Sequence, residues 1–245
     1  DRGCAYILEK SDIGWETIAR LTASNAEEGD NLGWSVAIHE NTVVVSMYDY
    51  YKKTTCYVYE KPVSGWTDMT ETARLTTTGF YSGDLFGSSV SIFDETIVVG
   101  ALSDDSNGSN SGCAYVFEKP QGGWADMTQT AKLTASDGTI NNYFGRSVTI
   151  FNNTIAVSAN GKNSFTGGVY IFEKPLNGWE NMTEDALLLA SDGQTSASFG
   201  ESVSLYEDVL LVGADNDASN RGSAYLFEKP VSGWTNMNET VKLSP

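Results

Sequence analysis

The chain of 245 residues carries 15 Lys+Arg against 32 Asp+Glu, a formal net charge of −17 and an isoelectric point near 4.3. That balance excludes a nucleic-acid grip, which needs a concentrated cationic footprint, and adsorption to an anionic membrane surface. With 40% hydrophobic and 11% aromatic residues there is material for a sizeable core, yet no run approaches the ~18 apolar residues of a membrane span.

No signal-peptide pattern opens the chain, and its first residue is Asp1 rather than Met, which reads as a processed, trimmed or partial polypeptide. Charged residues are scarce at 19%, while turn formers and β-branched residues are plentiful. This is an all-β composition, with no convincing amphipathic helix.

An internal repeat organises the chain. Cys4-Ala-Tyr-Ile-Leu-Glu-Lys10 returns as Cys56-Tyr-Val-Tyr-Glu-Lys-Pro62, Cys113-Ala-Tyr-Val-Phe-Glu-Lys-Pro120, Gly168-Val-Tyr-Ile-Phe-Glu-Lys-Pro175 and Ser223-Ala-Tyr-Leu-Phe-Glu-Lys-Pro230. Tyr6, Tyr57, Tyr115, Tyr170 and Tyr225 are thus 51, 58, 55 and 55 residues apart. A Gly-Trp pair follows each copy, at Trp15, Trp66, Trp124, Trp179 and Trp234, and then a Thr-Ala-Lys-Leu-Thr-like strand at 18–22, 73–76, 131–134, 186–189 and 241–244.

A second block occurs four times between these units. It begins Leu32-Gly33, Phe86-Gly87, Phe144-Gly145 and Phe199-Gly200, runs into a Ser-Val-x-Ile strand, and turns at Glu40-Asn41, Asp94-Glu95, Asn152-Asn153 and Glu207-Asp208. A strand like Thr96-Ile-Val-Val-Gly-Ala101 closes it. Each full unit therefore holds four short strands at the period of a propeller blade. The second strand is apolar on both faces, as in Val209-Leu210-Leu211-Val212, which suits a strand sandwiched between neighbours. The third alternates small and aromatic side chains, and the fourth polar and apolar ones, so that bulk on one sheet fits hollows on the next.

Phe-Gly and Gly-Ala recurring at this spacing resemble the FG-GAP family, found in the heads of integrin α-subunits and in other extracellular repeat proteins. The resemblance covers nearly the whole chain. It implies an all-β β-propeller of four-stranded antiparallel blades that binds partners and does no chemistry of its own. Residues 1–245 then read as one propeller array, with full blades at 32–75, 86–134, 144–190 and 199–244. Residues 4–24 supply only the third and fourth strands of a further blade, and a lone hairpin with an open edge is marginal. Its inner strands are expected from other residues or from a neighbouring chain. Seven blades, usual in the family, would need roughly 385 residues. Many relatives carry an Asp-x-Asp-x-Asp-Gly calcium loop between first and second strands. Here that connection is a two-residue turn, so no cofactor is expected and calcium lacks its usual loop.

Up-and-down strands sort the connections onto two faces. One collects the second-to-third and unit-to-unit loops, with Glu27, Glu28, Asp30, Asp84, Asp137 and Asp192 as ligand-face candidates. Acidic loops gather cations, hydrogen-bond sugars or receive a basic partner, but Asp, Asn, Ser and Gly are also ordinary turn residues. The weak metal candidates are Asp104, Asp105, Asn107 and Asn110, echoed by Asp215 and Asp217. On the other face the repeated Trp reads as an anchor for its loop rather than a sugar platform.

Catalysis finds little support. The only histidine, His39, takes the place of Phe93, Phe151 and Tyr206 in the repeat, which leaves zinc sites and nucleophile–His constellations without a second member. No carboxylate pair is singled out for glycoside hydrolysis, and no phosphate-cradling loop occurs. Cys4, Cys56 and Cys113 head equivalent strands of different blades, where sheets pack ~10 Å apart and a disulfide needs Cα atoms within ~7 Å. No disulfide is expected. Asn107, Asn152, Asn181 and Asn238 open glycosylation sequons. The expected function is a non-catalytic adhesion or structural module, extracellular or on the cell surface, whose partners are other proteins or copies of itself. The alternative is a propeller lectin that binds glycans. Neither nucleic-acid binding nor membrane insertion is expected.

Overall fold

Two-residue turns and short β-branched runs fold the chain back on itself repeatedly, which builds antiparallel sheets instead of crossover units. The computed structural model describes residues 2–48, 55–79, 81 and 83–244. The first unit is a hairpin of β1 (Ala5–Ser11) and β2 (Gly14–Thr22). The second runs through β3 (Val36–His39), β4 (Thr42–Ser46), β5 (Cys56–Glu60), β6 (Met69–Thr70) and β7 (Ala73–Thr76). The third holds β8 (Phe86–Phe93), β9 (Thr96–Ala101), β10 (Cys113–Glu118), β11 (Met127–Thr128) and β12 (Ala131–Thr134). The fourth holds β13 (Phe144–Phe151), β14 (Thr154–Ala159), β15 (Val169–Glu173), β16 (Met182–Thr183) and β17 (Ala186–Leu189). The last holds β18 (Ser202–Tyr206), β19 (Val209–Ala214), β20 (Ser223–Glu228), β21 (Met237–Asn238) and β22 (Val241–Leu243).

Within each of the last four units the first, second, third and fourth long strands pair antiparallel in sequence order. The two-residue Met-Thr or Met-Asn strand does not join its own sheet. It pairs in parallel with the fourth strand of the preceding unit, Met69 opposite Leu21, Met127 opposite Leu75, Met182 opposite Leu133 and Met237 opposite Leu188. An acceptor just before it caps an outward backbone N–H on that strand. Arg20 N–H donates to Asp68, Arg74 to Asp126, Lys132 to Asn181 and Leu187 to Asn236, each at 2.8 Å. Every unit after the first is thus stitched to the one before it, and an exposed sheet edge is covered.

The core lies between the sheets as four apolar layers. Small side chains of one sheet (Val98, Ala114, Val116) face the bulky side chains of the next (Phe144, Tyr170, Phe172). The second strands β9 and β14 are buried throughout, as two-sided packing requires. In β19 burial alternates instead, with Val209 and Leu211 exposed, because among the described residues no further sheet covers that side. Trp66, Trp124, Trp179 and Trp234 are buried, whereas Trp15 is 69% exposed.

The Phe-Gly glycine has a steric reason. A Cβ on Gly145, at φ +92°, would stand 2.4 Å from the Cys113 carbonyl oxygen, and one on Gly112 would stand 2.0 Å from that of Phe144. Consecutive units approach backbone to backbone there. Composition predicts no helix. The structure has two four-residue turns, Lys162–Phe165 and Asp217–Asn220, each with two left-handed residues inside. They are loop features, too short to bury an apolar face.

Candidate functional site: an acidic loop face

The third strand of each of the last four units carries a buried tyrosine whose hydroxyl reaches the loop face. Tyr115 donates to Asp104 at 3.1 Å, Tyr170 to Asp137 at 2.7 Å, Tyr225 to Asp192 and Asp217 at 3.1 and 3.0 Å, and Tyr57 to Asn25 at 3.0 Å. Strand register places a cation beside it. Lys132 is paired opposite Tyr115, and Lys242 opposite Tyr225. Lys132 Nζ then sits 3.0 Å from Asp104, and Lys242 Nζ 2.6 Å from both Asp192 and Asp217. In the fourth unit the matching position is Leu187, and the buried Lys162 from the second-to-third connection supplies the ammonium to Asp137. Each ammonium also lies over its tyrosine ring, 4.9–5.7 Å from the centroid.

These networks engage most of the candidates. Asp104, Asp137, Asp192 and Asp217 are ion-paired. Asp30 and Asp84 are buried and accept the backbone N–H of Glu27 and Tyr81 at 2.6 and 2.9 Å, which closes tight turns. Asp105 accepts from Asn110 N–H at 2.7 Å, Asn110 donates to Asn141 across the unit boundary, and Asp215 accepts from Asn216. Glu28 and Asn107 are exposed. At Asp104 and Asp217 an ammonium already stands beside the carboxylate, in the place a calcium ion would need. Among the described residues no three His, Cys, Asp or Glu side chains gather as a metal site.

Burial pushes the Asp104 carboxyl up, but hydrogen bonds from Ser106 and Lys132 and the Lys132 charge outweigh it, and the group is held below the usual carboxylate range. Asp217 is held well below it, by Lys242, Ser223 and Tyr225 hydrogen bonds against its own burial, and Asp137 below it by Lys162 and Tyr170. Carboxylates depressed in the folded state stabilise it above their unfolded pKa of about 4 and lose that contribution as pH falls towards the folded value. The melting temperature is therefore expected to hold above about pH 5 and to fall on acidification through about pH 4 and below. Asp104→Asn and Asp217→Asn should be less stable at neutral pH and show a shallower acid limb. An acid limb unchanged in both variants would contradict the network.

Between these acids the loop face exposes apolar side chains. Tyr81, Ile140 and Phe165 are exposed, and Trp34 stacks on Tyr48 at 4.4 Å while remaining half open. Asn141 N–H donates to Ser109 and Tyr143 N–H to Asn110, so loops of successive units join into one surface.

The opposite face carries two ladders. The Lys of each Glu-Lys-Pro copy bridges to the Glu of the previous copy, Lys61 to Glu9 at 3.5 Å, Lys119 to Glu60 and Lys174 to Glu118 at 2.7 Å, and Lys229 to Glu173 at 2.9 Å. His39, Phe93, Phe151 and Tyr206 form a row with ring centroids 4.7, 4.7 and 5.0 Å apart, and His39 Nδ1 accepts from Asp94 N–H. Grooves of about 400 and 440 Å³ lie beside this row, one lined by Phe93, Glu95, Lys119 and Asn153, the other by Phe151, Asn153, Glu207 and Lys229. Both ladders escape a reading along the chain, because their members lie a full repeat apart. The Glu-Lys-Pro recurrence is the signal for one, and the shared repeat position of His39, Phe93, Phe151 and Tyr206 the signal for the other. Cys4, Cys56 and Cys113 are free thiols, and burial pushes Cys56 and Cys113 up. Asn107, Asn152, Asn181 and Asn238 are all exposed, and Asn181 doubles as the cap on Lys132.

Among the described residues no helix is long and apolar enough to cross a membrane. No curated protein sequence matches the chain. Among solved structures it is similar to the WD40 β-propeller domain of Doa1, with a TM-score of 0.53 at 10% identity, over 93% of this chain and 59% of that one. At that identity the likeness is one of fold: the sheets stack as propeller sheets do, and the match spans 59% of that chain. The FG-GAP repeat model matches residues 15–59, 69–117, 127–172 and 182–227. The matched segments take in most of the sequence and carry the Phe-Gly junctions described above, so the chain belongs to the FG-GAP repeat family.

Proposed function

We propose that this chain is a non-catalytic extracellular adhesion or assembly module. It is built as four full propeller blades and the outer half of another, and it takes a protein partner on its loop face. The observation that carries the reading is the exposure of Tyr81, Ile140 and Phe165 among acidic loops fixed by rigid sheets. Apolar anchors inside a charged rim are the usual composition of a binding patch, and the net charge of −17 favours a basic partner. Peptides selected from a random display library against the whole chain test it. Basic, aliphatic or aromatic peptides are expected to dominate, and the double variant Ile140→Ser, Phe165→Ser should lose them without a change in melting temperature. Peptides indifferent to that variant would count against the loop face.

The grooves beside the Phe93 row support a lectin as the second reading, since an aromatic, carboxylates and amides together suit a sugar. A glycan array decides. Binding abolished by Phe93→Ala and Asn153→Ala would favour the lectin, and a flat array removes it.

A further inference from the structure

The first unit meets the second as complete units meet one another. Gly3 bridges to Leu32 as Gly112 does to Phe144 and Gly167 to Phe199, and a Cβ on Gly33 would stand 2.7 Å from the Cys4 carbonyl oxygen, the counterpart of Gly145 against Cys113. The sheet order is β1-β2-β6, so among the described residues the edge of β1 that matches the β9-covered edge of β10 has no strand on it. Beside it lies an apolar groove of about 570 Å³, bounded by β1 and β3.

Four residues of this groove are exposed where their repeat counterparts are buried. Tyr6 and Leu8 are 55% and 50% exposed, against 2% and 0% for Tyr115 and Phe117. Val36 and Ile38 are 57% and 60% exposed, against 7% and 6% for Val90 and Ile92. What covers the buried set is known. Phe86 stands edge-on to Tyr115 and Phe117, as Phe144 does to Tyr170 and Phe172 and Phe199 to Tyr225 and Phe227. Val90 N–H donates to Ser35 Oγ, Ile150 N–H to Ser91 Oγ, and Val203 and Leu205 N–H to Ser147 and Thr149. Val36 and Ile38 occupy the same places with no such hydroxyl among the described residues. The vacant elements are a Phe-Gly junction, two hydroxyls on a first strand and an apolar second strand.

We propose that this groove is a docking site for a two-stranded segment with the first- and second-strand chemistry of an FG-GAP repeat, added at the β1 edge from a segment other than residues 1–245. Its second strand pairs with β1. Its Phe covers Tyr6 and Leu8, and its Ser hydroxyls accept from Val36 and Ile38 N–H. The proposal rests on the partial-blade reading of residues 4–24 and is independent of what the loop face binds.

A synthetic peptide of residues 86–101, fluorescently labelled, is the probe against the whole chain. Saturable binding is expected, with new hydrogen-exchange protection along β1. Leu8→Asp and Ile38→Asp, both at exposed positions and so compatible with folding, should each weaken binding by at least roughly tenfold. No saturable binding, binding unaffected by both variants, or binding without β1 protection would overturn the proposal. So would self-association of the chain that the same variants abolish, since a second copy would then own the groove. The Arg20 amide in the free chain separates two failures. If it is protected by Asp68 and the peptide does not bind, docking alone is wrong, whereas an unprotected Arg20 would also remove the partial-blade reading.

Discussion

Truncating Phe144 to alanine is expected to lower unfolding free energy by about 3–5 kcal/mol in urea titrations. Phe144 is wholly buried, with its ring 5.3 Å from Tyr170 and 6.0 Å from Phe172, in a layer shared with Val98, Ala114 and Val116 of the preceding sheet. Both walls of that layer are strands fixed by ladder hydrogen bonds, so neither can collapse into the space left behind. Most of the cavity survives in the variant. A loss below about 1 kcal/mol would mean that the two sheets do not meet through this ring.

The repeated tryptophan gives a sharper comparison, because one motif is expected to give two opposite results. Trp124→Ala should cost about 3–5 kcal/mol, while Trp15→Ala should fall within about 0.5 kcal/mol of the parent. Trp124 is 5% exposed and packs in the layer between the second and third units, whereas Trp15 is 69% exposed in the β1–β2 hairpin. The sequence explains the contrast. Residues 65–76 read Gly-Trp-Thr-Asp-Met-Thr-Glu-Thr-Ala-Arg-Leu-Thr, but 14–22 read Gly-Trp-Glu-Thr-Ile-Ala-Arg-Leu-Thr, without the Asp-Met-Thr stitch. Equal losses from the two variants, in thermal and urea unfolding alike, would contradict this account of the anchor.

Much of the fold was legible because its signals are local. Phe86, Val90, Ile97 and Val99 declare their strands by alternation or by unbroken apolar runs, and turn pairs such as Asp94-Glu95 mark the reversals. The stitches were not legible, since Asp126 and Arg74 lie 52 residues apart and a two-residue strand has no periodicity to detect. The candidate site was legible in composition only. Asp104, Asp137, Asp192 and Asp217 stood out as loop acids, but their lysine partners come from the fourth strand or, for Asp137, from the turn that holds Lys162. No spacing rule along the chain distinguishes a carboxylate waiting for a ligand from one already neutralised by its own fold. The apolar members of the face, Ile140 and Phe165, were hidden for the same reason, as exposure is a property of the assembled loops.

The central claim is that each unit caps the fourth strand of the one before it, and amide hydrogen exchange at five equivalent positions tests it directly. Arg20, Arg74, Lys132 and Leu187 donate their outward N–H to Asp68, Asp126, Asn181 and Asn236 of the following unit, while Lys242 is followed by no further unit in the 245 residues. Slow exchange at the first four and fast exchange at Lys242 is the predicted result. Equally fast exchange at all five would contradict the stitched array.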